Sequence, residues 1–159
     1  MNHKLDTDTH VYFYEQEFYV LSNFSSFRVE VDHIDFQTAE HAYHYYKFPH
    51  HAEIQGRVLC ARSAHEAYKI GQTYKNLYFD KWDEIKISVM HNILRAKVNQ
   101  HEYVRRKLLE TMDRTLVEDS WRDNFWGIGP NKDGENWLGN LWMQVRNEVR
   151  SVENATAKT

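Results

Sequence analysis

The sequence predicts an α+β fold, predominantly α-helical, with a small β hairpin or sheet near its N-terminus. Three observations carry this. Between residues 11 and 36, β-branched and aromatic residues come in short runs that alternate with polar ones. From Thr38 to Arg150 apolar residues recur mostly at helical spacing, broken by one loop rich in glycine and tryptophan. At 159 residues the chain has a common domain size, so a single domain over residues 11–150 is expected, with residues 1–10 and 151–159 as flexible termini.

Taken in order, Val11-Tyr12-Phe13-Tyr14 reads as a strand, and Phe18 to Phe24 as an apolar piece entering a polar turn. Phe27, Val29 and Val31 alternate with Arg28, Glu30 and Asp32, and Ile34 and Phe36 resume the alternation after Asp32-His33, which predicts a tight hairpin. A helix is expected from near Thr38 to Phe48, stopped by Pro49 because proline disfavours helical geometry in the residue before it. Two short helices follow, Glu53 to Ala61 and Ala64 to Lys75. Asp80 is a candidate N-cap for a long helix whose buried stripe reads Trp82, Ile85, Val89, Ile93 and Ala96. The stretch His101 to Met112 predicts another helix, burying Val104, Leu108 and Met112, with a short strand at Leu116-Val117. Residues 121–137 read as loop, and a last helix from Leu138 to Arg150 buries Leu138, Leu141, Trp142, Val145 and Val149.

Composition narrows the function classes. The net charge of −3 is not that of a general nucleic-acid binder, although it leaves room for one nucleotide in a local pocket. No apolar run approaches a membrane span and no signal peptide opens the chain, so no membrane partner is expected. A lone Cys60 excludes an internal disulfide, suits a reducing, cytoplasmic setting, and in its apolar stretch reads as a buried, inert thiol. Aromatic residues make up 14%, more than a core alone calls for where they stand among polar neighbours, and such rings suit stacking on a planar base.

Two stretches concentrate chemistry. On the helix after Thr38, Glu40, Tyr43, His44 and Lys47 fall along one side: an acid, a ring, a base and a cation. The helix dipole by itself also favours an acid in a first turn, and residue type does not choose between the two readings. The second stretch is Asp119 to Gly129, with Asp123, two tryptophans and glycines that allow close backbone approach. Glu40 and Asp123 together supply the two carboxyl groups that glycosidic cleavage often uses, and Trp82 and Trp126 the rings to hold a base. Lys47, Arg57, Arg62, Arg95 and Lys97 are candidate phosphate partners, each with an alternative as a solvated helix charge. Ten histidines raise a metal alternative, but neither His41 and His44 nor His50 and His51 sit in a ligand motif, so no metal and no other cofactor is expected.

The ordered set Phe13-Tyr14, Leu21-Ser22-Asn23-Phe24, Thr38-Ala39-Glu40-His41-Ala42-Tyr43, Lys47-Phe48, Trp82, Leu94-Arg95-Ala96-Lys97, Asp123-Asn124-Phe125-Trp126-Gly127 and Asn136 to Met143 resembles the NADAR, or YbiA-like, family. The resemblance spans roughly residues 11 to 150. It implies a mostly helical N-glycosidase acting on a small phosphorylated ribosyl base. The substrate implied is a ribosylamino-pyrimidine phosphate of early riboflavin synthesis, with ADP-ribosylated guanine in nucleic acid, or mere binding of ADP-ribose or NAD, as alternatives. Carried over by position, Glu40, Asp123 and Trp82 are the catalytic candidates, and Asn23, Phe24, Tyr43, Lys47, Trp126, Gly127 and Asn136 the substrate-binding ones. The chain departs from the family pattern at Asp32-His33, where Asp-Gly is common, and in the late loop Gly127 to Lys132. The second departure bears on which substrate is taken rather than on reaction type.

Overall fold

The computed structural model describes residues 6–14 and 18–158, which form six helices and four short strands. Residues 1–5 of the expected polar N-terminal tail, and the last residue of the C-terminal one, lie outside the described residues. The chain parts into two units, Asn23–His101 and a second made of Met1–Ser22 with Glu102–Thr159.

In the Asn23–His101 unit, strands β2 (Val29–Val31) and β3 (Ile34–Phe36) form the expected antiparallel hairpin, with Val29 opposite Phe36 and Val31 opposite Ile34. Asp32 and His33 both adopt positive φ, 51° and 65°, the requirement of the two-residue turn that suits strand twist. The turn therefore forms without glycine, which pairs two residues in a backbone region that costs each of them some strain. Helix α1 (Ala39–Tyr45) starts where Thr38 Oγ1 accepts the His41 N–H at 3.2 Å. It stops short of Pro49, ending in tightened turns from Lys47 N–H to the His44 carbonyl and Phe48 N–H to the Tyr45 carbonyl. His41 ties α1 to the segment after α2 (Ala52–Cys60), its Nε2–H donating to the Ala61 carbonyl at 3.0 Å while Nδ1 meets Thr38 Oγ1 at 2.8 Å. Helix α3 (Ala64–Thr73) has Ser63 as a true N-cap.

Helix α4 (Trp82–Gln100) departs from its expected stripe. Trp82 and Ile93 are buried as read, but Met90, Leu94, Lys97 and Val98 complete the buried face, while Ile85, Val89 and Ala96 are only half-buried. Lys97 is the reason the pattern misleads: a charged type occupies a core position, so a count of apolar residues places the face one step off. Asp80 does not cap this helix; Lys81 holds the N-cap position without a side-chain bond. At the other end the Gln100 amide bonds both the N–H and the carbonyl of Glu30, closing the edge of β2. Cys60 is exposed, not buried, because it falls in the last turn of α2 away from the Val58 side that packs inward.

In the other unit, β1 (His10–Phe13) pairs in parallel with β4 (Thr115–Glu118), from His10 opposite Thr115 to Phe13 opposite Glu118. The β portion near the N-terminus is thus half made by the late Leu116-Val117 strand. Helix α5 (Glu102–Glu110) buries Val104 and Leu108, but Met112 lies past its end at φ 50° and is 64% exposed. Helix α6 (Trp137–Ala157) buries all five expected residues and also Arg146, whose Nη1 donates to Thr111 Oγ1 and the Arg114 carbonyl. It runs on to Ala157, so the stretch expected as a loose tail after Arg150 is largely helical. Residues 151–157 need no buried stripe because they extend an already nucleated helix. Gly139 lets α6 lie against β4: a Cβ there would meet the Leu116 carbonyl oxygen at 2.1 Å.

Candidate active site

Six of the sequence-predicted residues come together in the Asn23–His101 unit, around the first turn of α1. Glu40 is anchored by its own backbone, whose N–H donates to the Asn23 carbonyl at 3.1 Å. Its side chain is 9% exposed, and its carboxylate receives His44 Nε2 at 2.7 Å across one helical turn. Burial pushes His44 below the ordinary imidazole range, more strongly than the Glu40 charge pulls it up, and the charge of Lys47 adds to the downward push. A neutral His44 that donates from Nε2 presents its lone pair at Nδ1, and Nδ1 is buried without a partner among the described residues. The ring fits there because α3 carries Gly71: a Cβ at that position would stand 2.1 Å from Nδ1.

Lys47 is buried too, at 4% exposure, and enclosed by rings. Its Nζ lies 4.6 Å from the centroid of Tyr43, 4.5 Å from that of Tyr78 and 5.9 Å from that of Trp82. It donates to the Tyr78 hydroxyl at 3.2 Å, and that hydroxyl donates on to the Gly71 carbonyl at 3.0 Å. Burial, then the neighbouring Tyr68 and Glu40, push the Tyr78 phenol up to about 12, so it stays a protonated donor at neutral pH. Trp82 packs against Tyr43 with centroids 5.3 Å apart, forming a wall. Asn23 is buried, its Nδ2 facing Met90 Sδ at 3.5 Å and its Oδ1 without a partner among the described residues. Phe24 is 36% exposed, with its ring near Tyr68.

The remaining four predicted residues belong to the other unit and build a loop. Asp123 Oδ1 accepts the N–H groups of Phe125 and Trp126 at 2.9 and 2.8 Å, closing a turn of the kind aspartate favours. Trp126 is buried. Helix α6 starts on this loop without a side-chain cap: Trp137 N–H reaches the Phe125 carbonyl, Leu138 N–H that of Trp126, and Asn136 N–H that of Gly127. Gly127 is there for space, since a Cβ would meet the Glu118 carbonyl oxygen at 2.8 Å. Asn136 sits at φ 53°, its Oδ1 accepting from Glu118 N–H and its Nδ2 donating to the Leu116 carbonyl. The structure thus gives Gly127 and Asn136 duties in joining β4 to α6.

Two residues of the Glu40 neighbourhood, Tyr78 and Gly71, were not singled out from the sequence, and His44 was read on the same face as Glu40 without being assigned a site role. The i, i+4 spacing from Glu40 was a signal for His44. Tyr78 and Gly71 carry none, because Gly71 arrives only through the packing of α3 against α1, and Tyr78 through the turn after α3, where Phe79 N–H donates to the Lys47 carbonyl. Among the basic candidates, Arg57 pairs with Glu53 on the surface, whereas Lys97 is fully buried and donates to Ser25 Oγ at 2.8 Å, not a solvated charge. Burial pushes the Lys97 ammonium down to about 7. Among the described residues no group of three or more His, Cys, Asp or Glu is placed to hold a metal ion. No described helix is long and apolar enough to cross a membrane.

Comparison with known proteins places this arrangement. An N-glycosidase of Nostoc punctiforme is 35% identical over 150 residues, covering 92% of this chain and 96% of that one. The N-glycosidase YbiA of Escherichia coli strain K12 is 31% identical, covering 91% and 89%. The chloroplastic riboflavin biosynthesis protein PYRR of Zea mays is 33% identical over 89% of this chain, which spans 25% of that longer protein. The NMR structure of E. coli YbiA superposes with a TM-score of 0.83 at 30% identity, over 95% of this chain and 90% of that one. With residues 12–150 matching the NADAR domain, a stretch that contains every predicted site residue, the chain belongs to the NADAR family.

Proposed function

We propose that this chain hydrolyses the N-glycosidic bond of a ribosylated base, and that its substrate is a ribosylamino-pyrimidine 5′-phosphate of early riboflavin synthesis. The N-glycosidase names of its relatives support the reaction, and the riboflavin biosynthesis names support the substrate class. The observation that carries the reading is the buried Glu40–His44 pair. A carboxylate removed from water, held at one oxygen by a neutral imidazole, is a preorganised negative charge. As the C1′–N bond lengthens, positive charge develops at the anomeric carbon and ring oxygen, and a fixed carboxylate stabilises it. The second oxygen of Glu40 can orient water, whose oxygen bonds to C1′ while its protons pass to solvent and to the departing nitrogen. No covalent intermediate, metal or redox cofactor enters this scheme.

Trp82 and Tyr43 act as the dry wall behind Glu40, which strengthens its electrostatic effect. Lys47 supplies the cation that favours a phosphorylated substrate, and its charge adds to the burial that holds His44 below the ordinary imidazole range. Asp123 enters on its residue type and family position, as the group that orients the sugar or assists the leaving base. Incubating the purified protein separately with the ribosylamino-pyrimidine phosphate and with ADP-ribosylated guanine in DNA, and measuring released base, tests the reading. Release only from the modified DNA moves the substrate to nucleic acid. Tight binding of ADP-ribose or NAD, with no product from either incubation, makes the chain a binding module.

A further inference from the structure

The mechanism above uses the buried end of an aromatic series that does not stop at His44. The His44 ring meets Tyr68 of α3 edge to face, with centroids 5.8 Å apart at 81°. Tyr68 is half-buried, and two further rings flank it: Phe24 at 6.4 Å and His65 at 6.3 Å, the latter nearly parallel at 17°. Both flanking residues are exposed. The series therefore runs from a buried carboxylate, through a buried imidazole and a half-buried phenol, to two exposed rings.

The packing elsewhere in the same unit makes this unusual. Phe36 and Phe48 are wholly buried, as rings placed for stability are. Phe24 instead stays 36% exposed although it follows directly on buried Asn23, whose carbonyl holds the Glu40 backbone. Tyr68 is electrostatically coupled to the Tyr78 hydroxyl, which senses Glu40 as well, so Tyr68 stands close to the proposed reaction centre and not merely on the same helix as Gly71. Partly exposed rings beside the carboxylate proposed to be catalytic are what a planar heterocycle needs, and stacking on them tolerates different bases.

We propose that Tyr68, flanked by Phe24 and His65, is the stacking platform that receives the planar base of the substrate and sets how loosely the base is specified. The proposal rests on the N-glycosidase reading for the identity of its ligand. It makes Tyr68 and Phe24 specificity-determining residues, with binding supplied by the ring and not by the Tyr68 hydroxyl.

The test combines kinetics with direct binding. For the ribosylamino-pyrimidine phosphate, Tyr68→Ala is expected to raise KM by about tenfold, the scale of one lost stacking contact, with kcat changed less than about threefold. Tyr68→Phe is expected to behave as wild type, and the surface variants Phe24→Ala and His65→Ala to raise KM by smaller factors. In parallel, 2,4-diamino-6-hydroxypyrimidine, a planar base without sugar, is titrated calorimetrically, with ribose 5-phosphate as the second probe. Weaker binding of the base, with unchanged binding of ribose 5-phosphate, in the Tyr68→Ala and Phe24→Ala proteins supports the platform. Undiminished base binding in folded Phe24→Ala and Tyr68→Ala proteins, or no base binding by the wild type, overturns it. If the wild type fails to cleave the phosphate substrate but binds the base through Tyr68, the platform stands and the assigned substrate falls.

Discussion

The two stretches that looked alike in the sequence use their polar residues in opposite ways. Around α1, the acid and imidazole are buried and bond each other, and the buried ammonium bonds the Tyr78 hydroxyl, leaving Asn23 Oδ1 and His44 Nδ1 without partners among the described residues. In the loop before α6, the acid and amide bond backbone: Asp123 the N–H groups of its own turn, Asn136 the edge of β4. Buried polar atoms without partners are costly and persist where a function needs them, whereas backbone satisfied by side chains is what any irregular loop requires. Dense polar and aromatic composition marks both kinds of region, and only the destination of the hydrogen bonds separates them.

The sharpest way to break this contrast is Glu40→Gln. The variant keeps shape and removes charge, and its turnover is expected to fall by about a thousandfold or more with the melting temperature little changed. Near-normal rates would reduce Glu40 to a residue that serves the helix dipole. Gly71→Ala comes next. The new Cβ cannot coexist with the His44 ring in place, so the ring must leave its bond to Glu40. A loss of about tenfold to a hundredfold in kcat is expected, with about 1–3 kcal/mol of stability lost to overpacking. Gly56→Ala in α2 is the matched control, since nothing lies within 4 Å of its Cβ position. It should leave activity alone and raise stability by about 0.5–1 kcal/mol in thermal or denaturant unfolding.

These two glycines also show what the sequence could convey. Both stand in short helices and look alike to any local reading, yet one holds the site open and the other is dispensable. Local signals did well where the cause is local: a helix start near Thr38, the Asp32-His33 turn, and the apolar stripe of α6. They failed where tertiary packing decides. The parallel union of β1 with β4 joins segments about a hundred residues apart, and no turn signal announces it. Lys97 hides in a core that residue type assigns to solvent, and Met112 is exposed because the chain leaves α5 before it. At the site, Glu40, Tyr43 and Lys47 were legible because they lie on α1 and the turns that close it, whereas Tyr78 and Tyr68 arrive from elsewhere.

For the loop, Asp123→Asn and Asp123→Ala divide the two kinds of use. Asparagine retains an oxygen for the Phe125 and Trp126 N–H groups, so its stability should lie within about 0.5 kcal/mol of wild type. Alanine removes the acceptor and should cost about 1–2 kcal/mol. If Asp123 also assists the reaction, the asparagine variant loses about tenfold in kcat, well short of Glu40→Gln. Full activity in the asparagine variant would make the carboxylate purely a turn-former and deepen the contrast with Glu40.

The smallest effect expected is an acid sensitivity below pH 6.5 that the α1 region should show and the loop should not, distinct from the titration of the buried Lys97 ammonium near 7. His44 is pushed below the ordinary imidazole range by burial, and the charges of Lys47 and His41 add to that push against the opposing pull of Glu40. The unfolded chain takes up a proton near pH 6.5, while the folded chain resists it until lower pH. Between those two values the unfolded state binds more protons, so stability is lost as pH falls, at up to about 1.4 kcal/mol per unit. The same shift means that kcat/KM should hold through pH 6.5 and decline only below it, since His44 must stay neutral to donate from Nε2 with its lone pair at Nδ1. Urea unfolding across pH 5 to 8, beside a pH–rate profile, reads both. In His44→Asn the component of the stability slope due to the imidazole should vanish, while Asp123→Asn should leave it in place. A wild-type slope that survives in His44→Asn would mean that another group carries the acid sensitivity, and that the buried imidazole is not held neutral by the fold.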